Sequence, residues 1–420
     1  MPSKTRRRLL TRLSTLAALP LLTGFGFARK KNIREFGRVY DYLRDGQLRL
    51  KEIDKKRVTI ENAEFNGEDF INGYWGYYDF VNCHFPASYI IQLIQTVGCN
   101  FIECEFGPSR KDDSIGFGVC RDVLFRRCKF NMANVGFGGP ADFEACECVN
   151  PDPDPNHRYT LNGGKMLLTK CESTNYSYAA DESLVLRDCT MRKGSSKLYS
   201  NRKSSADYQL ISSTFEDAET ILWPSYPKNL TISRCVAKGI FRAQGCEVEG
   251  TILLEHLSAG HFDLWGGASS QKLHVKDCQF NAIDEKTRAY FRCIGGYSKE
   301  TLIERVSAGG LVNLTTATDK TTEKFRYPKA QNDLFIVRGC KIPHLKINWL
   351  QSANLRLENC EIGQLEIRDA QIGKLEIVNT KFDRLDLSRT VATEYALDAS
   401  GEIVDTGSNY DKATGKARKK

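Results

Sequence analysis

Past residue 28 the chain has no apolar run approaching the roughly 20 residues that a membrane span needs. It also has little excess charge of one sign. Of the +8 carried by all 420 residues, five charges come from Lys4, Arg6, Arg7, Arg8 and Arg12, so the rest of the chain carries only +3. A nucleic-acid groove is therefore not required, and no nucleic-acid partner is expected. Cys146-Glu147-Cys148 has no second pair to complete a tetrahedral metal site, and neither a metal nor a cofactor is expected. No lyase or hydrolase motif matches residue by residue.

What is present is a repeat. Residues 357–390, LENCEIGQLEIRDAQIGKLEIVNTKFDRLDLSRT, fall into fives whose first and third places are apolar or small: Cys360 and Ile362, Leu365 and Ile367, Ala370 and Ile372, Leu375 and Ile377, Thr380 and Phe382, Leu385 and Leu387. A step of two followed by a step of three suits short strands joined by tight bends and does not suit a helix. Upstream the phrase recurs more loosely, as in VTIENAEF, NFIECEF, LVLRDCTM and LRLENCEI, at intervals of mostly 18 to 25 residues. That period is a solenoid's, in which one repeat cannot bury its apolar face without neighbours.

Residues 55–392 resemble the right-handed parallel β-helix proteins, the architecture of pectate lyases and polygalacturonases, and residues 357–390 resemble a pentapeptide repeat. The resemblance implies an all-β fold, a single right-handed parallel β-helix. It implies no particular chemistry, because one scaffold hosts many activities.

The start, MPSKTRRRLLTRLSTLAALPLLTGFGFA, places five basic residues before a modestly apolar run and ends in small residues, as an export signal over 1–28 does. Thr5-Arg6-Arg7-Arg8-Leu9-Leu10 resembles the twin-arginine consensus, which implies a periplasmic or secreted protein. General secretion and an uncleaved membrane anchor stay open. Residues 32–46 carry Ile33, Phe36, Val39, Tyr40 and Leu43 at helical spacing, which predicts an amphipathic capping helix within residues 29–54. Residues 393–420 lose the repeat and are expected to form a trailing tail.

Of 15 cysteines, ten (83, 104, 128, 146, 171, 189, 235, 278, 340 and 360) occupy the same inward place of the repeat. Small apolar packing accounts for them better than disulfides do, since in-register side chains do not offer the needed torsion.

Function is sought on outward positions and in loops longer than the repeat requires, at 107–122, 150–165, 192–206, 285–300 and 315–332. In GHFDLW, Phe262 and Leu264 face inward, which turns His261, Asp263 and Trp265 outward. Counting six places on from the repeat residue aligns Glu219, Asp263 and Asp284 on three coils. Those carboxylates beside His261 would suit acid-base cleavage of a glycosidic bond, and equally a solvated face. Trp265, with Tyr74, Trp75, Tyr77 and Tyr78, offers aromatic faces for sugar rings. Trp223 and Trp349 share the parity of core residues. The expected partner is a polysaccharide, bound or processed. A structural or protein-binding solenoid is the alternative.

Overall fold

The computed structural model describes residues 40–42, 48–50, 57–64, 73–85, 91–108, 114–151, 159–194, 197–199, 207–218, 220–222, 227–244, 248–265, 269–281, 290–294, 297–315, 332–411 and 413–418. Among them there is no helix, and none is long and apolar enough to cross a membrane. The chain divides into two compact units, residues 1–180 and 181–420. Each is a parallel β-solenoid.

In the first unit, Tyr78–Val81 pairs in parallel with Asn100–Ile102, which pairs with Val123–Arg126, which pairs with Ala141–Glu144. Alternate residues point inward, so Phe80, Phe101, Phe125 and Phe143 stack with centroids 4.9, 4.8 and 5.0 Å apart. A second stack joins Phe85, Phe106 and Phe130 at 4.8 and 4.9 Å. Offset ring pairs of this kind are worth about 0.5–1.5 kcal/mol each beyond their buried area. In-register stacking follows directly from parallel pairing, because identical positions of successive coils lie one strand spacing apart.

One recurring corner of the coil is turned by a residue in the left-handed conformation. In the first unit Asn62, Asn82, Glu103, Arg127, Ala145 and Lys170 turn it, all with φ between 51° and 54°. Immediately after each comes the small inward residue: Ala63, Cys83, Cys104, Cys128, Cys146 and Cys171, every one buried. The second unit repeats the device with Asp188 before Cys189, Arg234 before Cys235, Asp277 before Cys278 and Asn359 before Cys360. The corner is held by backbone bonds between coils: Asn82 N–H donates to Ile102 O at 2.9 Å, and Glu105 N–H to Cys83 O at 2.9 Å. The thiols are satisfied too, Cys104 Sγ donating to Phe80 O at 3.3 Å and Cys128 Sγ to Phe101 O at 3.2 Å. All described cysteines are free thiols.

The second unit ends in the most regular section. Lys341 pairs with Glu361 and Glu361 with Lys381, a step of 20 residues per coil. Here the core is aliphatic, with Leu345, Leu365 and Leu385 in one column.

Several expectations need correction. The expected tail is folded: Val391–Val404 adds a further coil, pairing Leu385 with Ile403 and Asp386 with Val404. Strand pairing needs only in-register backbone and alternating side chains, so it outlasts the five-residue pattern. Most of the predicted capping helix, like the export segment, lies outside the described residues. The part that is described, Tyr40–Tyr42, is a strand antiparallel to Leu48–Leu50. The long loops are partly strand, with Ile115–Arg121, Tyr159–Thr169 and Tyr290–Ile294 running through them. Trp349 is exposed, because it occupies a left-handed corner at φ 61° where the inward-outward alternation is interrupted. Trp223 lies outside the described residues.

Candidate functional site

The outward face of the strands around Asp263 belongs to the second unit. In Ser258–Trp265, Phe262 and Leu264 are buried in the core, so Asp263 leaves from the opposite side. Its neighbours one coil away are Arg242 and Arg292. Glu219 and Asp284, expected to align with it, lie outside the described residues; on the coil before Arg242 the register partner is Ile221.

Asp263 is outward yet only 1% exposed. Arg292 grips it as a fork, Nε donating to Oδ1 at 2.8 Å and Nη2 to Oδ2. The Arg292 guanidinium also lies over the Tyr290 ring, 5.4 Å from its centroid, and Tyr290 packs against His261 at 5.0 Å. His261 Nε2 stands 3.9 Å from Asp263 Oδ2, too long for a hydrogen bond. Burial by itself raises the Asp263 carboxyl, but His261 and the Arg292 guanidinium beside it more than offset this and hold it below the ordinary carboxylate range. A carboxylate so held does not release a proton at neutral pH, and one so covered does not reach a sugar.

The column continues through both sides of Asp263: Arg242, Asp263, Arg292, Asn313, Lys346, Glu366 and Asp386 are successive register partners. Beside it runs a second outward column, His261, Tyr290, Leu311, His344, Gln364 and Arg384. Glu366 accepts from His344 at 2.8 Å and lies 3.5 Å from Lys346 and 3.6 Å from Arg368. Arg368 in turn holds Asp386 at 2.6 Å. The carboxylate side chains of this ladder, Asp263, Glu366 and Asp386, are 1, 12 and 7% exposed, whereas Arg292, Lys346 and Arg368 are 28, 29 and 40% exposed. Among the described residues no group of three or more His, Cys, Asp and Glu side chains is arranged to hold a metal ion.

The aromatic candidates are distributed differently. Tyr78 is buried beside Phe80, ring centroids 5.8 Å apart, and offers no face to a ligand. Two adjacent large residues cannot both alternate outward, and Tyr77 takes the left-handed corner at φ 57° instead. Tyr74 and Trp75 lie in the strand Gly73–Gly76, in register with Gln95 and Thr96. Trp265 ends its strand in register with Gln244 and Ile294. The residues that sequence reading missed are Arg242 and Arg292. The alternation in Tyr290-Phe291-Arg292-Cys293 was the available signal, with Phe291 inward and Arg292 outward.

Compared with known proteins, the chain matches no family model, no curated protein and no solved structure.

Proposed function

We propose that the protein is an exported solenoid, a right-handed parallel β-helix with a pentapeptide-like end, that binds an extracellular or envelope polysaccharide without cleaving it. The observation that carries this reading is the pair of outward columns from His261 and Asp263 to Arg384 and Asp386, whose side chains recur one coil apart. An extended polymer can touch several coils of such a ladder, where a small ligand touches one. Hydrogen-bonding groups, the Tyr290 ring and two histidines supply what sugar hydroxyls and ring faces require. The buried, ion-paired state of Asp263 favours binding over hydrolysis.

The self-pairing of the ladder favours a second reading, a structural or protein-interaction solenoid in the cell envelope. Incubation with a panel of acidic and neutral glycans separates the two. Retention without new reducing or unsaturated ends supports the binder, new ends support an enzyme, and no retention supports the structural solenoid.

The N-terminal sequence supports passage to the periplasm or beyond, with an uncleaved membrane anchor as the alternative. Replacing Arg6, Arg7 and Arg8 by Lys keeps the charge and removes the planar donor forks. Retention of this variant in the cytoplasm is the outcome expected of the twin-arginine route, and unchanged export would point to general secretion.

A further inference from the structure

In the column that passes through Asp263, basic residues occupy alternate coils from Arg242 to Lys346, and Asp386, beyond Glu366, ends the alternation. Arg242 is followed by Asp263, Arg292 by Asn313, and Lys346 by Glu366. Two strand spacings separate one cation from the next, about 9.6 Å. The positions between them are an acid or an amide. Burial sharpens the alternation, because Asp263 and Glu366 lie beneath their partners while the heads of Arg292 and Lys346 reach solvent. A ligand laid along this face therefore meets positive charge at every second coil and the carboxylates of Asp263 and Glu366 between.

We propose that the ligand is an anionic polysaccharide carrying one anionic group in every second sugar. The inference rests on the reading of the protein as a glycan binder and names the class of glycan. An extended sugar chain advances by about one strand spacing per residue, so alternate sugars fall in step with alternate coils. A polymer with an anion on every sugar would set half of its charges over Asp263, Asn313 and Glu366, where like charges repel or find no cation. A neutral polymer would gain nothing from the basic positions. Arg292 keeps its structural bond to Asp263 in this arrangement, since a guanidinium carries five N–H groups and the fork to Asp263 engages it through Nε and Nη2.

The test compares three polymers by affinity electrophoresis and calorimetry of the full chain at low and high salt: hyaluronan, with one carboxylate in every two sugars; polygalacturonate, with one on every sugar; and neutral dextran. Hyaluronan is expected to bind at least about tenfold more tightly than the other two at low salt, and to lose that advantage as salt screens the contacts. Lys346→Gln should weaken hyaluronan about three- to tenfold and leave dextran unchanged. Arg292→Gln serves less well, because it strands buried Asp263 and can unfold the coil. Equal binding of dextran and hyaluronan overturns the inference and leaves the glycan-binding reading standing. Polygalacturonate bound as tightly as hyaluronan overturns the spacing argument. Failure of all three polymers to bind overturns both readings.

Discussion

Asn409 uses its side-chain amide as a substitute peptide unit for Ala392: Nδ2 donates to Ala392 O at 2.8 Å, and Oδ1 accepts from Ala392 N–H at 3.0 Å. Both backbone groups of an edge residue on the last coil are thereby occupied without another strand. The same Oδ1 accepts from Tyr395 Oη at 2.7 Å, which fixes the amide's orientation. An open edge is a template for another chain, and this contact closes part of it.

Asn409→Leu should therefore cost stability and promote end-to-end association. Two lost bonds to a strand edge amount to about 1–3 kcal/mol. Light scattering of the variant should show concentration-dependent growth that wild type lacks, whereas a monodisperse variant with unchanged stability would contradict the capping role.

Asp263→Asn keeps the shape and removes the charge that Arg292 grips. Breaking a buried pair by neutralising one partner costs about 3 kcal/mol. The urea midpoint should fall, and the paired change Asp263→Leu with Arg292→Met should recover most of the loss. A midpoint unchanged in the single variant would show that the fork contributes nothing.

Asp263, Glu304, Glu366 and Asp386 all have carboxyls held below the ordinary range: burial acts to raise each, and bonded neighbours more than offset it. For Glu304 those neighbours are His274, at 2.7 Å, and Arg338, and for Asp386 they are Ser388 and Arg368. A depressed folded-state value means that stability is fully present above the unfolded value, about 3.9–4.3, and is lost as pH falls through the folded one. Denaturant unfolding should thus change little between about pH 7 and 5 and weaken progressively below about pH 5. Glu366→Gln should flatten that slope.

Ala145 holds a left-handed corner at φ 52° with no polar side chain to stabilise it. The conformation costs an L-residue about 1–2 kcal/mol, and glycine avoids that at an entropic cost of about 0.5–1 kcal/mol. Ala145→Gly should raise the unfolding midpoint slightly, and Ala145→Val should lower it. The reverse order would mean that the corner is not strained.

The thiols should stay reduced in the native protein and react slowly with aromatic disulfide reagents. Burial pushes Cys99 and Cys120 up to about 12 and Cys235 and Cys278 up to about 11. In-register Cβ atoms remain about 4.8 Å apart, beyond the roughly 3.8 Å a disulfide prefers. Titration after denaturation without reductant should recover all the thiols.

The parallel coils were legible because burial imposes the same demand at every repeat: Phe80, Phe101, Phe125 and Phe143 stand at one inward place, and a small residue stands at the next. The corners were not, since Glu103, Arg127 and Lys170 are not residues that favour positive φ, and only their neighbours force it. Asp263 was legible by parity and illegible in its burial. What covers it is Arg292, 29 residues later and one coil away, and no local pattern carries that contact. The neighbour of Asp263 on the next coil is Arg292, and the loop length that sets this register is a quantity that alternation does not report. Trp349 shows the same limit, as a corner residue counted as if the strand ran through it.

The 20-residue step of the last coils has a consequence for how this chain can change. Deleting residues 341–360 would join Cys340 to Glu361, and Glu361 already sits directly above Lys341 in register. The cut ends would meet in equivalent surroundings, so the length of the protein can alter by a whole coil with no break in its packing. The outer surface would not be so forgiving. Glu366 would come to rest against Asn313, and Lys346 would vanish from the series. Gain or loss of a coil would leave the architecture intact and change the order of charges along the outer surface.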